Sequence, residues 1–359
     1  MSSRETFWPG SRRQGRGQQG ADLVVIGDCN PDVLVLGDDV TPEFGQQEKL
    51  VESLSLTVGG SAAITAVAAA RLGLSVAMVA AVGKDPAGDF MLGELARAGV
   101  DTAAVVVRDD APTGMTVALS RGADRAILTA VGAVASLTAA DVPGALLARA
   151  RHAHVSSYFL VENSLGPGLA QMFSAARAAG ATTSLDTNWD PSGRWGDDRL
   201  RAAFAQTDLL LPNETEALHL AGEPDLEAAA QVLTAGGAKL VVKLGPRGAL
   251  CIDGPRQDHV WLAPVTPVDE TGAGDCFNAG LIAGLLEGLA MPSAAALGCA
   301  VGALSTRAPG GTGSCPDLAT ALALAETATI RGVGAGEWMV PAEPRRIRSG
   351  RRAGPPAFH

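Results

Sequence analysis

Residues 268–282 read Val268-Asp269-Glu270-Thr271-Gly272-Ala273-Gly274-Asp275-Cys276-Phe277-Asn278-Ala279-Gly280-Leu281-Ile282. Three consecutive small residues, Gly272, Ala273 and Gly274, let the backbone approach a ligand closely. The apolar run from Cys276 predicts a helix, whose first amides lack intrahelical partners and sit at the positive end of its dipole. The segment therefore reads as an anion site. Asp275 is the residue out of place in it, because a carboxylate repels a phosphate unless it has a task. Accepting a proton from an attacking hydroxyl is one such task, and capping the helix is another. Residue chemistry alone leaves both open.

Outward from this segment, short apolar runs alternate with helical periods. Asp22-Leu23-Val24-Val25-Ile26-Gly27 has the form of a buried strand that opens a sheet. Further strands are predicted near 75–82, 103–108, 115–120, 125–130, 153–157, 182–186, 208–211, 239–243, 249–252 and 259–262. Helices are predicted at 61–72 and 86–98, then near 138–150, 167–179, 197–205, 213–221 and 225–236. From Gly274 to about Leu324 three more helices follow, broken at Pro292 and around Ala308 to Pro316. Strands separated by such helices imply βαβ units, hence an α/β fold with a mainly parallel central sheet between two helical layers. Ligands of such sheets bind beyond the carboxyl ends of the strands. Val33 to Val58 is polar, holds Pro42 and Gly45, and reads as short strands outside the main core, a flap.

The 359 residues, 47% hydrophobic and 18% charged with 44 Gly, fit one large α/β domain or two ordinary ones and exclude a disordered or collagen-like chain. The net charge of −10 is unevenly spread: four arginines lie in residues 1–20 and five in residues 341–359. Between these tails stand 19 basic and 36 acidic residues, a surplus that repels a phosphate backbone, so nucleic acid is not expected as a partner. The tails themselves read as solvated, disordered ends. Cys29, Cys251, Cys276, Cys299 and Cys315 are widely spaced, with no C-x-x-C pair for zinc or redox chemistry, which fits a reducing cytoplasm. The first twenty residues lack the apolar core of an export signal, and the apolar stretches 62–82 and 277–304 are interrupted by Arg71 or Glu287. No membrane span is expected.

Other nucleotide and hydrolase signatures are absent or misplaced. There is no G-x-x-x-x-G-K-[ST] and no G-x-S-x-G. A literal G-x-G-x-x-G at Gly15, Gly17 and Gly20 lies in the basic tail, ahead of the first strand instead of after it. His152-x-His154 starts a predicted strand, where packing and hydrogen bonding outweigh metal ligation. Gly27-Asp28-Cys29-Asn30-Pro31-Asp32 offers an amide and carboxylates suited to a polyol, or a plain turn. Gly59-Gly60 reads equally as a hinge. Asn213-Glu214-x-Glu216 opens a helix, where its acids either hold hydrated Mg²⁺ or cap the helix.

Taken together these segments resemble the ribokinase-like (PfkB) carbohydrate kinase family over essentially all of residues 22–325. The resemblance is carried by Asp269-x-Thr271-Gly272-Ala273-Gly274-Asp275-x-Phe277 and by Gly59-Gly60 followed by Ala66-Val67-Ala68-x-x-x-Arg71-Leu72-Gly73. Between them lie Val82-Gly83-x-Asp85-x-x-Gly88, Leu95-x-x-x-Gly99-Val100-Asp101-Thr102, Pro112-Thr113-Gly114, Pro212-Asn213-Glu214-x-Glu216 and Lys243-Leu244-Gly245-x-x-Gly248, in the family's order.

The resemblance implies an ATP-dependent kinase that phosphorylates a hydroxymethyl group of a sugar, or of a nucleoside's ribose, in a three-layer α/β/α domain with a small β-sheet lid. It implies that Asp275 is the base, that the Gly272, Ala273 and Gly274 amides form the anion hole, and that Asn30, Asp32, Gly59 and Gly60 bind the sugar. Asn213 and Glu216 match the motif that supports Mg²⁺ and phosphate, partly through water, and Lys243 and Gly245 fall on the nucleotide loop. Asp269 and Thr271 match ligands of a monovalent cation, K⁺, to be completed by carbonyls around Ala308 to Ser314, where the match is loose. The kinase domain is expected over 21–332, with a lid from about 33–58 and 113–131 that supports a homodimer, between tails 1–20 and 333–359.

Three departures bear on the substrate. Ile64 stands where the family often has a sugar-contacting Asn, and Cys299 where a late helix often has Asn. In Asp186-x-Asn188-Trp189-Asp190 the last two residues replace a commonly basic one, which points to a neutral sugar in preference to a phosphorylated one. A nucleoside is the second expectation, since Ile64, Tyr158, Phe159 and Trp189 suit a base; a silent binding regulator in a kinase fold is the third.

Overall fold

The computed structural model describes residues 20–121 and 124–334. Its main sheet runs, in spatial order, Thr329–Gly332, Arg256–Trp261, Ala249–Asp253, Lys239–Lys243, Leu209–Leu210, Thr182–Asp186, His152–Ser156, Leu23–Ile26 and Val76–Val79. From Lys239–Lys243 to Val76–Val79 neighbours are parallel; the three strands at the other edge are antiparallel. The alternation of a strand explains the unbroken apolar run at its centre. Leu23 and Val25 pack with the helices Ser61–Arg71, Ala273–Leu286 and Met291–Ser305, whereas Val24 and Ile26 pack with Leu169 and Phe173 on the opposite face.

Helices Ala273–Leu286 and Met291–Ser305 meet along a seam of small residues. A Cβ on Gly280 would stand 2.9 Å from Gly298 Cα, and one on Gly298 the same distance from the Phe277 carbonyl oxygen, so both glycines are required by close approach. The Ala/Gly-rich stretch thus serves helix packing inside the protein. Among the described residues, no helix is long and apolar enough to cross a membrane.

The flap and the strands expected near 115–130 join in one separate sheet, ordered Ser53–Gly59, Asn30–Leu36, Met115–Arg121, Asp124–Ala130. Its register pairs Asn30 with Gly59 and Asp32 with Thr57.

Several elements differ from expectation. The strand at 75–82 is two, Val76–Val79 and Ala81–Gly83, the second pairing with Val106–Arg108 in a sheet of its own. The helix at 138–150 is a 3₁₀ turn, Ala139–Asp141, and one helical turn, Gly144–Leu147, because Pro143 between them interrupts the hydrogen-bond ladder. Pro292 breaks nothing: it sits in the first turn of Met291–Ser305, where its missing N–H would be unpaired anyway. His152–Ser156 ends before Ser157, which adopts φ 56°. The strand at 259–262 begins earlier, as Arg256–Trp261. Thr329–Gly332 was not foreseen, because every residue of it is exposed and it carries no apolar alternation. The tails, except Gly20, Val333 and Gly334, lie outside the described residues, as do Gly15 and Gly17.

Candidate active site

Helix Ala273–Leu286 starts at Gly272, whose φ of 71° is left-handed and which is packed too tightly for a side chain: a Cβ would stand 2.7 Å from Gly311 Cα. Gly272 is the N-cap, so Asp275 lies inside the first turn and does not cap the helix. The amides of Gly272 and Gly274 make no hydrogen bond within the described chain, while that of Ala273 makes a long turn bond, 3.3 Å, to Glu270 O. These amides lie at the positive end of the helix dipole.

Asp275 is 7% exposed. Burial first, then the charges of Asp186 and Asp28, push its carboxyl well above the usual carboxylate range, against the opposing pull of Lys243 and a hydrogen bond from Ser61. Lys243, expected on the nucleotide loop, sends its ammonium into this cluster, where it forms a buried ion pair with Asp186. Its Nζ also lies beside the anion site, 3.5 Å from where a Cβ on Gly274 would be. Asn278 Nδ2 donates to Asp186 Oδ2 at 2.6 Å. Gly245 forms the turn two residues beyond Lys243, with φ 59° and open space at its Cα.

Asn213 and Glu216 form a capping box: Asn213 N–H donates to Glu216 Oε2 at 2.8 Å, and Glu216 N–H to Asn213 Oδ1 at 2.9 Å. Capping does not exhaust Glu216. Burial and the charge of Asp186 push its carboxyl up to about 7. Asp28, Asp186, Glu216 and Asp275 thus share a buried region with one ammonium, Lys243. Among the described residues no three or more of these side chains converge to hold a metal ion directly, so a divalent cation here would be bound largely through water and phosphate oxygens.

At the small sheet, Asn30 Nδ2 donates to Asp32 Oδ1 at 3.3 Å and to Thr116 Oγ1 at 3.1 Å, which joins two strands. Gly60, φ 78°, lies under Asn30, whose Oδ1 would be 3.1 Å from a Cβ there. Asp28 accepts the first amides of helix Ser61–Arg71, from Ser61 at 3.0 Å and Ala62 at 2.9 Å. Asn188, at φ 55°, donates from Nδ2 to Ser61 Oγ at 3.1 Å. Ser61 therefore links the 27–32 loop, the mid-chain segment and Asp275.

Asp269 ties two loops together: Oδ1 accepts Thr271 N–H and Oγ1–H at 2.9 and 2.7 Å, and Oδ2 accepts Gly310 N–H at 2.8 Å. Both of its oxygens have donors from the chain. Ile64 is buried against Gly272 and Gly311 and supports the anion loop from below. Cys299 packs by Val260. His152 and His154 are linked through Ser184 Oγ, at 2.7 and 2.8 Å, as packed and hydrogen-bonded core residues. Tyr158 and Phe159 are core, leaving Trp189, 56% exposed, against Trp195 and His219.

Sequence reasoning passed over Ser61 and Asn278, and took Asp28 only as one of the carboxylates of the 27–32 segment. Asn278 had a signal: three residues after Asp275, it shares the same helical face. Ser61 had none, since its partners Asp28 and Asn188 are reached only across the fold.

A helix started by a left-handed glycine, with the buried carboxylate of Asp275 in its first turn, fits a class of protein, the phosphotransferases with an alcohol acceptor. Residues 21–318 match the pfkB family carbohydrate kinase model. The chain is 32% identical to 2-dehydro-3-deoxygluconokinase of Bacillus subtilis over 286 residues, 72% of this chain and 84% of that one. It is 31% identical to fructokinase of Salmonella typhimurium over 304 residues, 80% and 97% of the two chains. A candidate ribokinase II from E. coli, solved in complex with ATP and Mg²⁺, superposes with a TM-score of 0.75 at 25% identity, covering 85% of this chain and 99% of that one. The chain belongs to the pfkB family of carbohydrate kinases and is an ATP-dependent carbohydrate kinase.

Proposed function

We propose that the protein transfers the γ-phosphoryl group of ATP to a hydroxymethyl group of a neutral sugar. One observation carries the choice of a neutral sugar: the cluster of Asp28, Asp186, Glu216 and Asp275 holds a single cation, Lys243, and Asp186 already neutralises it. A carboxylated or phosphorylated sugar entering there meets repulsion. The nucleoside reading loses Tyr158 and Phe159 to the core and keeps only Trp189.

In this reading Asn30 and Asp32, with the backbone at Gly59 and Gly60, hold the sugar hydroxyls. The acceptor hydroxyl gives its proton to Asp275 as its oxygen attacks the γ-phosphorus, and the bond to ADP breaks. The Gly272 and Gly274 amides, with Ala273 once its weak turn bond yields, stabilise the charge on the transferring group. Asn213, Lys243 and Gly245 serve the nucleotide. Glu216 would hold Mg²⁺ through water, the metal supplying charge neutralisation of the phosphates. K⁺ at Asp269 and Thr271 would draw on loop carbonyls, because the Asp269 oxygens already accept chain donors. The small sheet, with 33–58 and 113–131, acts as the lid of a kinase domain spanning 21–332, in the cytoplasm where ATP is supplied. Its outer face, with Leu54 and Leu56 exposed, would carry the homodimer contact.

The test is ADP release from Mg²⁺ and ATP, with and without K⁺, against neutral sugars, sugar acids, sugar phosphates and nucleosides, with Asp275→Asn as blank. Turnover with neutral sugars alone supports the reading; preference for an acidic sugar or a nucleoside overturns it.

A further inference from the structure

Cys276 and Cys315 are 39 residues apart in the chain, yet their sulfurs stand 3.2 Å from each other. Cys276 directly follows Asp275 in the first turn of helix Ala273–Leu286, and Cys315 closes the loop that begins at Gly310. Both thiols reach the same acceptor, the Gly311 carbonyl oxygen, at 3.4 and 3.5 Å. A disulfide requires about 2.05 Å between sulfurs, so an approach of about 1 Å closes the bond.

The two thiols are unlike. Cys276 is sealed from solvent, whereas Cys315 keeps 7% exposure. Arg71 stands at Cys315, its Nη1 donating to the Cys315 and Thr312 carbonyl oxygens at 3.1 and 3.0 Å. This is the asymmetry of an attacking and a resolving thiol.

We propose that Cys276 and Cys315 are a modification site, forming a reversible disulfide with peroxide that straps the base-bearing helix to the Gly310–Ser314 loop and suppresses turnover. The Cys315 thiolate attacks a peroxide oxygen and the O–O bond breaks, leaving a sulfenic acid and, after protonation, water. The Cys276 sulfur then attacks the sulfenic sulfur, the S–S bond forms, and the sulfenic oxygen departs as a second water. Two thiols lose two electrons and two protons in all, and one peroxide becomes two waters. The disulfide has no S–H to offer, so the Gly311 carbonyl loses both donors. Gly311 packs directly on Gly272, and the shift therefore reaches the amides at the helix start.

The suppression rests on the catalytic reading of Gly272 to Asp275; the pairing itself does not. The experiment treats the full-length protein with hydrogen peroxide, alkylates the remaining thiols, digests without reduction and reads peptides by mass spectrometry, with ADP release followed in parallel. The expected result is a Cys276–Cys315 peptide pair lighter by two hydrogens, with Cys29 and Cys251, both buried, alkylated only after unfolding. Turnover is expected to fall on the order of a hundredfold, the cost of about 1 Å of misplacement, and to return with dithiothreitol. Cys315→Ser and Cys276→Ser are expected to stay active under peroxide. Absence of the joined peptide overturns the pairing, and a joined peptide with undiminished turnover overturns the suppression. Inactivity of the reduced protein with every sugar would instead count against the substrate reading, while the peptide still reports the pairing.

Discussion

The carboxylate of Asp32 lies over the backbone of Gly59, so close that a Cβ there would stand 1.9 Å from Asp32 Oδ1. The obstructing group is the end of a side chain, which can rotate away while the strand pairing of Asn30 with Gly59 survives. Gly59→Ala is therefore expected to raise the sugar KM about tenfold to a hundredfold, the worth of one hydrogen bond to a charged group, with Tm nearly unchanged. Steady-state kinetics beside a melting curve check this; a collapse in Tm would show that Gly59 serves the fold instead.

Asp275→Asn keeps the size of the side chain and removes its basicity. Turnover is expected to drop by about 10²–10⁴, the usual contribution of a positioned base, with ATP affinity retained or improved. Isothermal titration with ATP, next to ADP release, separates the two effects.

Glu216 gives a pH dependence whose sign follows from its raised carboxyl. Its ordinary value is 4.5 and its value in the fold about 7, so between these the folded state binds more protons than the unfolded one. Stability contributed by this group is present below pH 4.5 and is lost as pH rises through 7. Glu216→Gln still accepts the Asn213 amide and is expected to flatten this fall by on the order of 2 kcal/mol, several degrees in Tm. Melting curves of both proteins from pH 4 to 8 test it, the difference between them isolating Glu216 from Asp275. Mg²⁺ with ATP is expected to reduce the slope in the unmodified protein.

Lys243→Met leaves Asp186 buried without a counterion, with Asn278 Nδ2 and the Asn188 N–H as donors. A loss of about 3–5 kcal/mol is expected, because a buried charge loses its counterion. Adding Asp186→Asn should restore part of it. Denaturant titration of the single and double variants measures the coupling, and additive losses would show that the pair is not one unit.

Much of the architecture was legible because periodicity is a local property. Leu23–Ile26 announced itself as a strand buried on both faces, and the run of small residues at 272–274 announced a helix start. The segments that misled are those where proline sits beside a helix start: Pro143 precedes the single turn Gly144–Leu147, and Pro292 lies in the first turn of Met291–Ser305. Thr329–Gly332 was invisible because an exposed edge strand carries no apolar pattern.

By itself the sequence determined the α/β class, the family and the residue types of the site, since Gly272 to Asp275 and Asn213 to Glu216 are each contiguous and their spacing sets helix-end chemistry. Only the tertiary structure decided how charge is distributed among them. Lys243 pairs with Asp186 across 57 residues, Ser61 joins Asp28 and Asn188, and Cys276 meets Cys315. The physical reason is that burial and the interactions of charges and thiols depend on distance through the fold, which a linear pattern does not encode.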